Sequence, residues 1–334
     1  MSAVLEEDLP GPLLLVEDAF GALATALGER SGASWGDSVL GRGATAWNRA
    51  RNGLPPLPWF PSTERPEGPF AGALLRVPRS LRRLRWWLHA LGEVLPTGAP
   101  LWIAGRADHL GSRVLSAAQG LGAAEAGLQR HKSRVIRLRL ERRVPPPDER
   151  CPEVAGVQLR PAPGVFGEDG LDAGSALLLD LLEAEPRRIV DLGCGSGVLG
   201  LVAQARWPGA SVTWTDASYL AVASARAAAT GPGDFLVCDA GEGVIPGADL
   251  VLCNPPFHAG RARTRAVAAR MFGQAARMLE EQGALWVVGN RHLDYHQGLR
   301  RWFADVRVLS KDPRFAVIRA RGPRRDVPPA SPGP

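Results

Sequence analysis

Short apolar runs alternate with amphipathic stretches along both halves of this chain. In the second half, the apolar runs cover residues 188–192, 211–215, 234–238, 249–253 and 284–289. Short runs bounded by glycine and proline, with helical stretches between them, are typical of buried parallel strands in βαβ units. The pattern therefore predicts an α/β fold with a doubly wound, mainly parallel sheet.

The end of the chain shows a different pattern. Residues 306–309 and 315–319 are two apolar runs joined by a short turn that contains Asp312 and Pro313. Such a turn between two strands favours an antiparallel hairpin. A mainly parallel sheet closed by a terminal hairpin resembles the class I (Rossmann-like) methyltransferase fold.

The two halves also resemble each other. Residues 100–105 and 284–289 are similar apolar runs, and each follows an amphipathic stretch, at 79–91 and 266–281 respectively. The Trp-Thr-Asp-Ala-Ser segment at 214–218 has a counterpart in Trp-Gly-Asp-Ser at 35–38. Several matches in the same order indicate a duplicated domain.

Proline-rich segments set the predicted boundaries. Residues 145–147 are three consecutive prolines, which continue neither a helix nor a central strand. We predict one domain over residues 1–145, a linker over 146–155, a second domain over 156–321 and a disordered tail over 322–334.

Length and composition limit the class of protein. The 334 residues suffice for two domains, and 45% hydrophobic with 22% charged residues is typical of a soluble globular protein. No apolar run reaches the roughly 18 residues of a membrane helix, and the acidic N-terminus has the wrong sign for a secretory signal. The four cysteines are widely spaced, without a C-x-x-C pair. We expect a cytoplasmic monomer with reduced thiols, without a metal and without a membrane partner.

The formal net charge is +6, which suits a polyanionic partner such as RNA. Lysine occurs only at positions 132 and 311, so nearly all the positive charge is arginine. Alanine, glycine and proline are abundant as well, and a compositional bias would explain the charge equally. Local clusters therefore carry more weight than the total.

Residues 189–197 combine an apolar strand with a glycine-rich turn. Asp191 lies inside the strand, and Gly193, Cys194, Gly195 and Gly197 follow. Glycine lets the backbone take positive φ and pass close to a ligand, although dinucleotide-binding folds share this feature and a purely structural turn is the alternative. The acid two residues before the first glycine resembles methyltransferase motif I. We therefore expect S-adenosylmethionine as the cofactor.

Two further acids follow strands. Asp216 directly follows the run at 211–215 and so lies at the predicted carboxyl end of a strand. A carboxylate there can accept both hydrogen bonds of a ribose diol, and the alternative role is that of a helix N-cap. Asp239 follows the next run, and the resemblance implies that it faces the adenine amino group. Their neighbours Ala217 and Ala240 complete the expected cofactor site.

The most specific segment is Asn254, Pro255, Pro256 and Phe257, directly after an apolar strand. A planar amine is a poor nucleophile, because its lone pair is delocalised. The Asn254 side-chain oxygen and the Pro255 carbonyl can accept its two N–H bonds and stabilise the positive charge that develops, while Phe257 stacks on the ring. The same tetrapeptide serves adenine-N6, guanine-N2 and glutamine-N5 methyltransferases, so the motif alone does not choose among them.

Flanking segments narrow the choice. Residues 165–166, 170–175, 254–258 and 290–295 together resemble the bacterial ribosomal RNA guanine-N2 methyltransferases, and the last segment resembles the large-subunit (23S) branch more than the small-subunit (16S) branch. The resemblance covers most of the chain. It implies two tandem methyltransferase-like domains, the first without catalysis, and a cleft lined by Phe166 and residues 170–175. His258 either packs in the loop or contacts the base.

The first half lacks the chemistry of the second. Residues 17–21 contain one glycine where motif I has three, and Arg-Val-Pro-Arg at 76–79 stands where Asn-Pro-Pro-Phe is expected. Arginines at 79–85 surround Trp86 and Trp87, and a basic run covers residues 130–143. These clusters suit phosphate contact and base stacking, or else a solvated helix face and a charged edge strand. We predict a degenerate, RNA-binding domain.

We predict methylation of a guanine N2 in ribosomal RNA, most consistent with 23S rRNA. The alternatives are a 16S rRNA enzyme and a non-catalytic protein that holds the cofactor and binds RNA. A flexible basic loop at 261–265 would clamp the RNA after base flipping. The expected substrate-binding residues are Phe166, Phe257, His258, Arg263, Arg291, Lys132 and Arg134.

Overall fold

The computed structural model describes residues 8–127, 129–256, 261–310 and 312–325, with backbone alone at 261–264. These residues form two seven-stranded sheets and a short two-stranded one. The chain divides into two units, residues 1–149 and residues 150–334, each with one of the large sheets. The division falls within the predicted linker.

Unit 1 alternates strands and helices. Its strands are β1 Leu13–Val16, β2 Ser31–Gly36, β3 Trp59–Pro61, β4 Gly72–Arg76, β5 Pro100–Arg106, β6 Ala124–Ala126 and β7 Ser133–Arg139. Its helices are α1 Ala22–Ala26, α2 Val39–Arg51, α3 Leu81–Val94 and α4 Ser112–Gln119.

Unit 2 begins with a small hairpin and then repeats this alternation. Its strands are β8 Glu153–Val154, β9 Val157–Gln158, β10 Arg188–Leu192, β11 Ser211–Asp216, β12 Gly233–Val237, β13 Ala248–Cys253, β14 Leu279–Asn290, β15 Phe303–Val308 and β16 Phe315–Pro323. Its helices are α5 Ala173–Leu181, α6 Val198–Arg206, α7 Tyr219–Ala228, α8 Arg261–Met278 and α9 Tyr295–Leu299.

The two large sheets have the same topology. The order in unit 1 is β3-β2-β1-β4-β5-β7-β6, and that in unit 2 is β12-β11-β10-β13-β14-β16-β15. In each sheet the first five strands are parallel, and the sixth strand, β7 in unit 1 and β16 in unit 2, is antiparallel to both of its neighbours. This confirms the predicted pair of doubly wound α/β domains and the hairpin that closes the second.

Helices cover both faces of each sheet, so the central strands are apolar throughout. In β1, Leu13 and Leu15 belong to one buried cluster, while Leu14 and Val16 belong to another. In β10, Ile189 likewise faces one cluster and Val190 the other. Because side chains alternate across a strand, two covered faces require apolar residues at consecutive positions.

Two predicted boundaries are wrong. Residues 322 and 323, which were expected in a disordered tail, belong to β16. The helix expected over 266–281 runs from Arg261 to Met278, and Leu279 already belongs to β14. Leu279 pairs with Ala248 of β13 and is fully buried, and the N–H of Gly247 donates to the carbonyl of Met278. Strand pairing therefore ends the helix before Glu280 and Glu281, which favour helix by themselves. The prediction of a flexible loop at 261–265, which includes Arg263, is also wrong, because these residues form the start of helix α8.

Unit 1 has a buried polar network at the ends of β1 and β2. These strands are the counterparts of β10 and β11, after which the cofactor site was predicted in unit 2. Arg83 donates to the carboxylate of Asp37 at 3.0 Å, and the hydroxyl of Ser62 donates to the same carboxylate at 2.6 Å. The indole N–H of Trp87 donates to Glu17 at 2.8 Å. Trp87 is fully buried and Arg83 nearly so, and the predicted RNA contacts of these two residues are therefore wrong.

The basic run at 130–143 is partly structural. Arg137 and Arg139 lie on the exposed face of β7, but β7 is not the charged edge strand of the alternative interpretation, because β6 pairs with it. The guanidinium of Arg142 donates to the carbonyls of Gln119 and Gly120. Only part of this run is therefore available to a partner.

Within the described ranges, no helix combines the length and apolarity needed to cross a membrane. Within the same ranges, no group of three or more His, Cys, Asp or Glu side chains could hold a metal ion.

Replacing Arg83 tests the buried network. Arg83→Leu should lower the free energy of unfolding of unit 1 by about 3–5 kcal/mol, because Asp37 would keep a buried carboxylate without its cation. Urea denaturation of the full chain, followed by tryptophan fluorescence, measures the change.

The matched control is Arg42→Leu on α2, since Arg42 is exposed. It should change stability by no more than about 0.5 kcal/mol. Equal effects of the two substitutions would contradict the structural role of Arg83.

Candidate active site

The candidate site lies at the carboxyl edge of the unit 2 sheet, where β10, β11 and β13 end. Because parallel strands all end at this edge, residues distant in sequence meet here. The turn after β10 contains Gly193, Gly195 and Gly197, with φ of 74°, 55° and 85°. These are left-handed conformations that glycine adopts readily. At Gly195, a Cβ would also come within 2.8 Å of the Phe166 carbonyl oxygen.

Asp191 lies beneath this turn. Its carboxylate is almost completely buried and accepts the N–H of Gly200 at 2.8 Å, which ties β10 to the start of α6. Burial, together with the nearby charge of Asp216, raises the pKa of Asp191 to about 7, against the bond from Gly200. Asp191 therefore supports the turn from below. Cys194, in the turn itself, is buried, and burial raises the pKa of its thiol well above the usual value.

Asp216 is the last residue of β11, and Ala217 follows it. The two oxygens of Asp216 accept the N–H of Gly195 at 3.0 Å and that of Ser218 at 2.9 Å. The side chain of Asp216 is half-buried, so the carboxylate braces the glycine turn while remaining partly accessible. The N-cap of α7 is Ser218 rather than Asp216.

Asp239 and Ala240 follow β12, beside a cavity of about 110 Å³. Arg270 of α8 forms an ion pair with Asp239 at 2.7 Å. Burial raises the pKa of Asp239, and the charge of Arg270 opposes that rise. One carboxylate oxygen is thus already bonded to the protein.

Asn254 follows β13, with Pro255 and Pro256 after it. Its side-chain nitrogen donates to the hydroxyl of Ser175 at 2.9 Å and to Oδ2 of Asp172 at 3.3 Å. A carboxylate only accepts hydrogen bonds, so these contacts fix which end of the amide faces Asp172. The amide oxygen Oδ1 is buried and has no hydrogen-bond partner among the described residues.

Asp172 is itself held in place. It is the N-cap of α5, and its Oδ1 accepts the N–H groups of Gly174 and Ser175 at 3.0 and 3.2 Å. Its other oxygen, Oδ2, is the one that faces Asn254. The start of α5 thereby orients the amide of a loop about 80 residues further along the chain.

The segment around Phe166 covers the glycine turn. The Phe166 carbonyl accepts the N–H of Ser196 at 2.8 Å, and the Phe166 side chain lies next to Gly195. Half of the Phe166 surface is exposed, which is unusual for a large apolar residue. The structure thus places an accessible aromatic ring against the glycine turn.

Other predicted residues lie elsewhere. The guanidinium of Arg291 donates to the carbonyls of Ser310 and Asp312, which secures the turn between β15 and β16. Lys132 lies in an exposed turn of unit 1, and Arg134 lies on β7 of that unit. Phe257 and His258 lie outside the described residues, as does the side chain of Arg263.

The contacts of Asp172 and Ser175 with Asn254 were not predicted from the sequence. Both residues were expected in a segment that lines the cleft, without a connection to Asn254. The available signal was the Asp-x-Gly-Ser pattern of a helix N-cap. That pattern predicts the start of α5 but not the distant amide that Asp172 contacts.

Comparison with known proteins agrees with this arrangement. The family described as Methyltransferase small domain matches residues 156–319, and the family described as RLMG N-terminal domain matches residues 1–142. A Streptomyces griseus protein named Ribosomal RNA large subunit methyltransferase G is 38% identical, over 94% of this chain and 87% of that protein. A relative of the same name from Ectopseudomonas mendocina is 39% identical over 92% of this chain and 87% of its own length.

The chain belongs to the ribosomal RNA large subunit methyltransferase G family. It is therefore a methyltransferase, with a first domain that shares the fold of the second. A T. thermophilus 16S rRNA N2 methyltransferase structure, solved with AdoMet and guanosine, has a TM-score of 0.77 and 22% identity, over 96% of this chain and 91% of its own. It shows that the fold is shared over both units.

The buried carboxyl of Asp191 predicts a pH dependence. Its pKa in the folded protein, about 7, is above the ordinary value of 3.8, so the folded state binds this proton more tightly than the unfolded state. The stabilising contribution is complete below pH 3.8 and is lost as pH rises to about 7, at up to about 1.4 kcal/mol per pH unit. Asp191→Asn should remove this loss, because the amide does not titrate and its oxygen still accepts from Gly200.

Urea denaturation of the wild type and the variant across this pH range measures the difference. Asp234→Asn, a change at an exposed carboxylate on β12, is the control and should keep the wild-type dependence. Parallel pH profiles of the wild type and Asp191→Asn would contradict the assignment.

Proposed function

We propose that this methyltransferase transfers a methyl group from S-adenosylmethionine to the exocyclic N2 of a guanine in ribosomal RNA of the large subunit. Relatives at 38–39% identity carry the large-subunit name. The T. thermophilus protein of the same fold is a 16S rRNA N2 methyltransferase. An enzyme with this substrate works in the cytoplasm. The single observation that carries the proposal is the buried, unpaired oxygen of Asn254.

The residues at the sheet edge fit S-adenosylmethionine. The glycine turn has the positive φ values that let a backbone pass close to a ligand, and Asp216 is a partly accessible carboxylate at the end of β11. We assign to Asp216 the acceptance of hydrogen bonds from the ribose hydroxyls. We assign to Asp239 a hydrogen bond from the adenine amino group, accepted by the carboxylate oxygen that is not bonded to Arg270. When bound, the cofactor supplies an electrophilic methyl group on a positively charged sulfur.

Asn254 accounts for selection of an amine. The N2 lone pair of guanine is delocalised into the ring, and the nitrogen carries two hydrogens. Oδ1 of Asn254 and the carbonyl of Pro255 are suited to accept these two hydrogens, which orients the nitrogen and stabilises the positive charge that develops on it. The extra proton leaves after methyl transfer, so no strong base is required before attack.

Asp172 and Ser175 act as positioning residues. Their contacts engage the amide nitrogen of Asn254 and leave Oδ1 as the unpaired hydrogen-bond acceptor. A reversed amide would present N–H donors to the N–H donors of the substrate. The orientation of a single amide thus decides whether an amine is attracted or repelled.

Unit 1 is assigned to RNA binding without catalysis. Its Asp37, the counterpart of Asp216, is already bonded to Arg83 and Ser62, and no amide follows β4. Basic residues on its surface, including Lys132 and Arg134, provide charge for RNA contact.

The central experiment compares the wild type with Asn254→Ala. Methyl transfer to ribosomal RNA should fall by at least about 10²-fold, because an oriented acceptor is lost, while calorimetric affinity for S-adenosylmethionine stays unchanged. Mass spectrometry of nucleosides should identify N2-methylguanosine, and primer extension should map it to 23S rRNA.

Full activity in Asn254→Ala would refute the role of the amide. Methyl groups on adenine N6 or on a protein glutamine would refute the guanine assignment. A product confined to 16S rRNA would move the target to the small subunit.

Asp172→Asn tests the orientation of the amide. The new side-chain oxygen can still cap α5, so its NH₂ group would face Asn254 and favour the reversed amide there. We expect kcat to fall by about 10²-fold, by loss of an interaction made in the transition state, with the affinity for the cofactor unchanged.

Asp180→Asn is the matched control, since Asp180 is an exposed carboxylate just before the end of the same helix. It should retain wild-type kcat. If Asp172→Asn lowered kcat only to the extent that it unfolded the protein at the assay temperature, the role of Asp172 would be to cap α5 and not to orient Asn254.

A further inference from the structure

A cavity of about 530 Å³ opens at the carboxyl edge of the unit 1 sheet. It lies between the segment that precedes α3 and the start of α4. Its lining includes Pro78, Arg79, Asp108, His109, Ser112 and Arg113. A second, shallower groove shares Ser112 and Arg113 with it and adds Arg85. The two hollows together form what we call the unit 1 groove.

The unit 1 groove occupies the position that the target site has in unit 2. It follows β4 and β5, which are the counterparts of β13 and β14 in the identical sheet order. In unit 2, Asn254 follows β13, whereas in unit 1 the residues after β4 are Val77, Pro78 and Arg79. Val77 is buried, and so the first side chains after β4 that line the cavity are those of Pro78 and Arg79, neither of which is an amide.

The groove is positively charged. Arg79, Arg85 and Arg113 are exposed, and none of them forms a hydrogen bond or an ion pair with another described residue. The one carboxylate in the lining, Asp108, is engaged by the guanidinium of Arg106 through two hydrogen bonds at 3.0 and 2.8 Å. Its charge is therefore largely compensated, and three free guanidinium groups remain.

Two buried arginines of unit 1 are different. Arg83 is bonded to Asp37 and is buried, and Arg49 donates to the carbonyls of Ala24 and Pro55. Arginines with internal partners stabilise the fold. Those of the unit 1 groove have no such partner among the described residues, which makes them available to an external ligand.

The lining also indicates the kind of ligand. None of the described residues that line the cavity is Phe, Tyr or Trp, and the imidazole of His109 is the one aromatic ring in its lining, so the cavity offers little surface on which a base could stack. Guanidinium groups match the geometry of phosphate oxygens and bind them through paired hydrogen bonds. Several such groups in one groove favour a polyanionic backbone over a neutral nucleoside.

We propose that the unit 1 groove binds the phosphodiester backbone of the ribosomal RNA substrate, through Arg79, Arg85 and Arg113. This inference rests on the proposed function for the identity of the RNA. Contacts of this kind position the RNA without reading its sequence, because phosphates are the same at every nucleotide. A site that receives the target amine in unit 2 would thus be an anion site in unit 1.

The test uses the full chain with Arg79→Gln and Arg113→Gln combined, and deproteinised 23S rRNA as the probe. We expect RNA affinity near 0.1 M salt to fall by about tenfold. The slope of log affinity against log salt should decrease by about 1.4–1.8, because two phosphate contacts are lost. Affinity for S-adenosylmethionine and kcat at saturating RNA should not change.

Arg30→Gln is the matched control. Arg30 is exposed and directly precedes β2, at the opposite, amino edge of the same sheet. It removes one positive charge, against two in the double variant, and we expect it to leave the affinity and its salt slope close to those of the wild type. Thermal unfolding of each variant checks that the fold is intact.

Unchanged RNA affinity in the double variant would overturn the proposal, as would an equal loss per charge in Arg30→Gln. Saturable binding of inorganic phosphate in the groove, with unchanged RNA affinity in the variant, would assign it to a small anion. Loss of binding to ribosomal particles but not to bare RNA would assign it to a protein. Failure of the proposed function is distinguishable, since it would show as the wrong methylated product while RNA binding is still measured.

Discussion

The catalytic unit depends on a directional contact: a carboxylate that can only accept and an amide that must therefore donate. Asp172 meets this condition because its other oxygen caps α5, which leaves Oδ2 directed at Asn254. The contact joins the helix that precedes the sheet to the loop after its central strand. The glycine turn, braced by Asp216, lies at the same edge, and Asp191 fixes that turn from beneath. The chemistry of the edge thus rests on a few hydrogen bonds of defined direction between distant segments.

The duplicated sheet shows how one framework supports two roles. Both units bury two apolar layers on a sheet of the same strand order, so the fold does not require the residues at the edge. In unit 1, Arg83 occupies the neighbourhood of Asp37, and Trp87 bonds to Glu17. These contacts stabilise the edge of the unit 1 sheet with residues that unit 2 does not have there. The fold is therefore stable with two different sets of residues at this edge.

Much of the fold, and the position of the glycine turn, could be predicted from local sequence patterns. Consecutive apolar residues predicted the buried strands, and the glycines after Asp191 predicted a turn at the sheet edge. Contacts between distant residues were beyond such patterns: nothing around Asp172 indicates Asn254, and nothing around Arg291 indicates the carbonyls that it binds. Trp87 and Arg83 look like surface residues in a basic segment, yet burial against Glu17 and Asp37 depends on the tertiary fold. The end of α8 was misplaced for the same reason, because pairing with β13 outweighs helix propensity.

The unpaired oxygen of Asn254 has a consequence for fidelity. A buried acceptor that is left without a donor costs roughly 1–3 kcal/mol, and Oδ1 of Asn254 has no donor among the described residues. Under the proposed function, the N2 amine of guanine supplies that donor. Hypoxanthine, which is guanine without the N2 group, would leave the oxygen unpaired, and xanthine would place one oxygen against another. Under the proposed function, an acceptor at this position therefore discriminates against near-isosteric bases that lack an N–H group there.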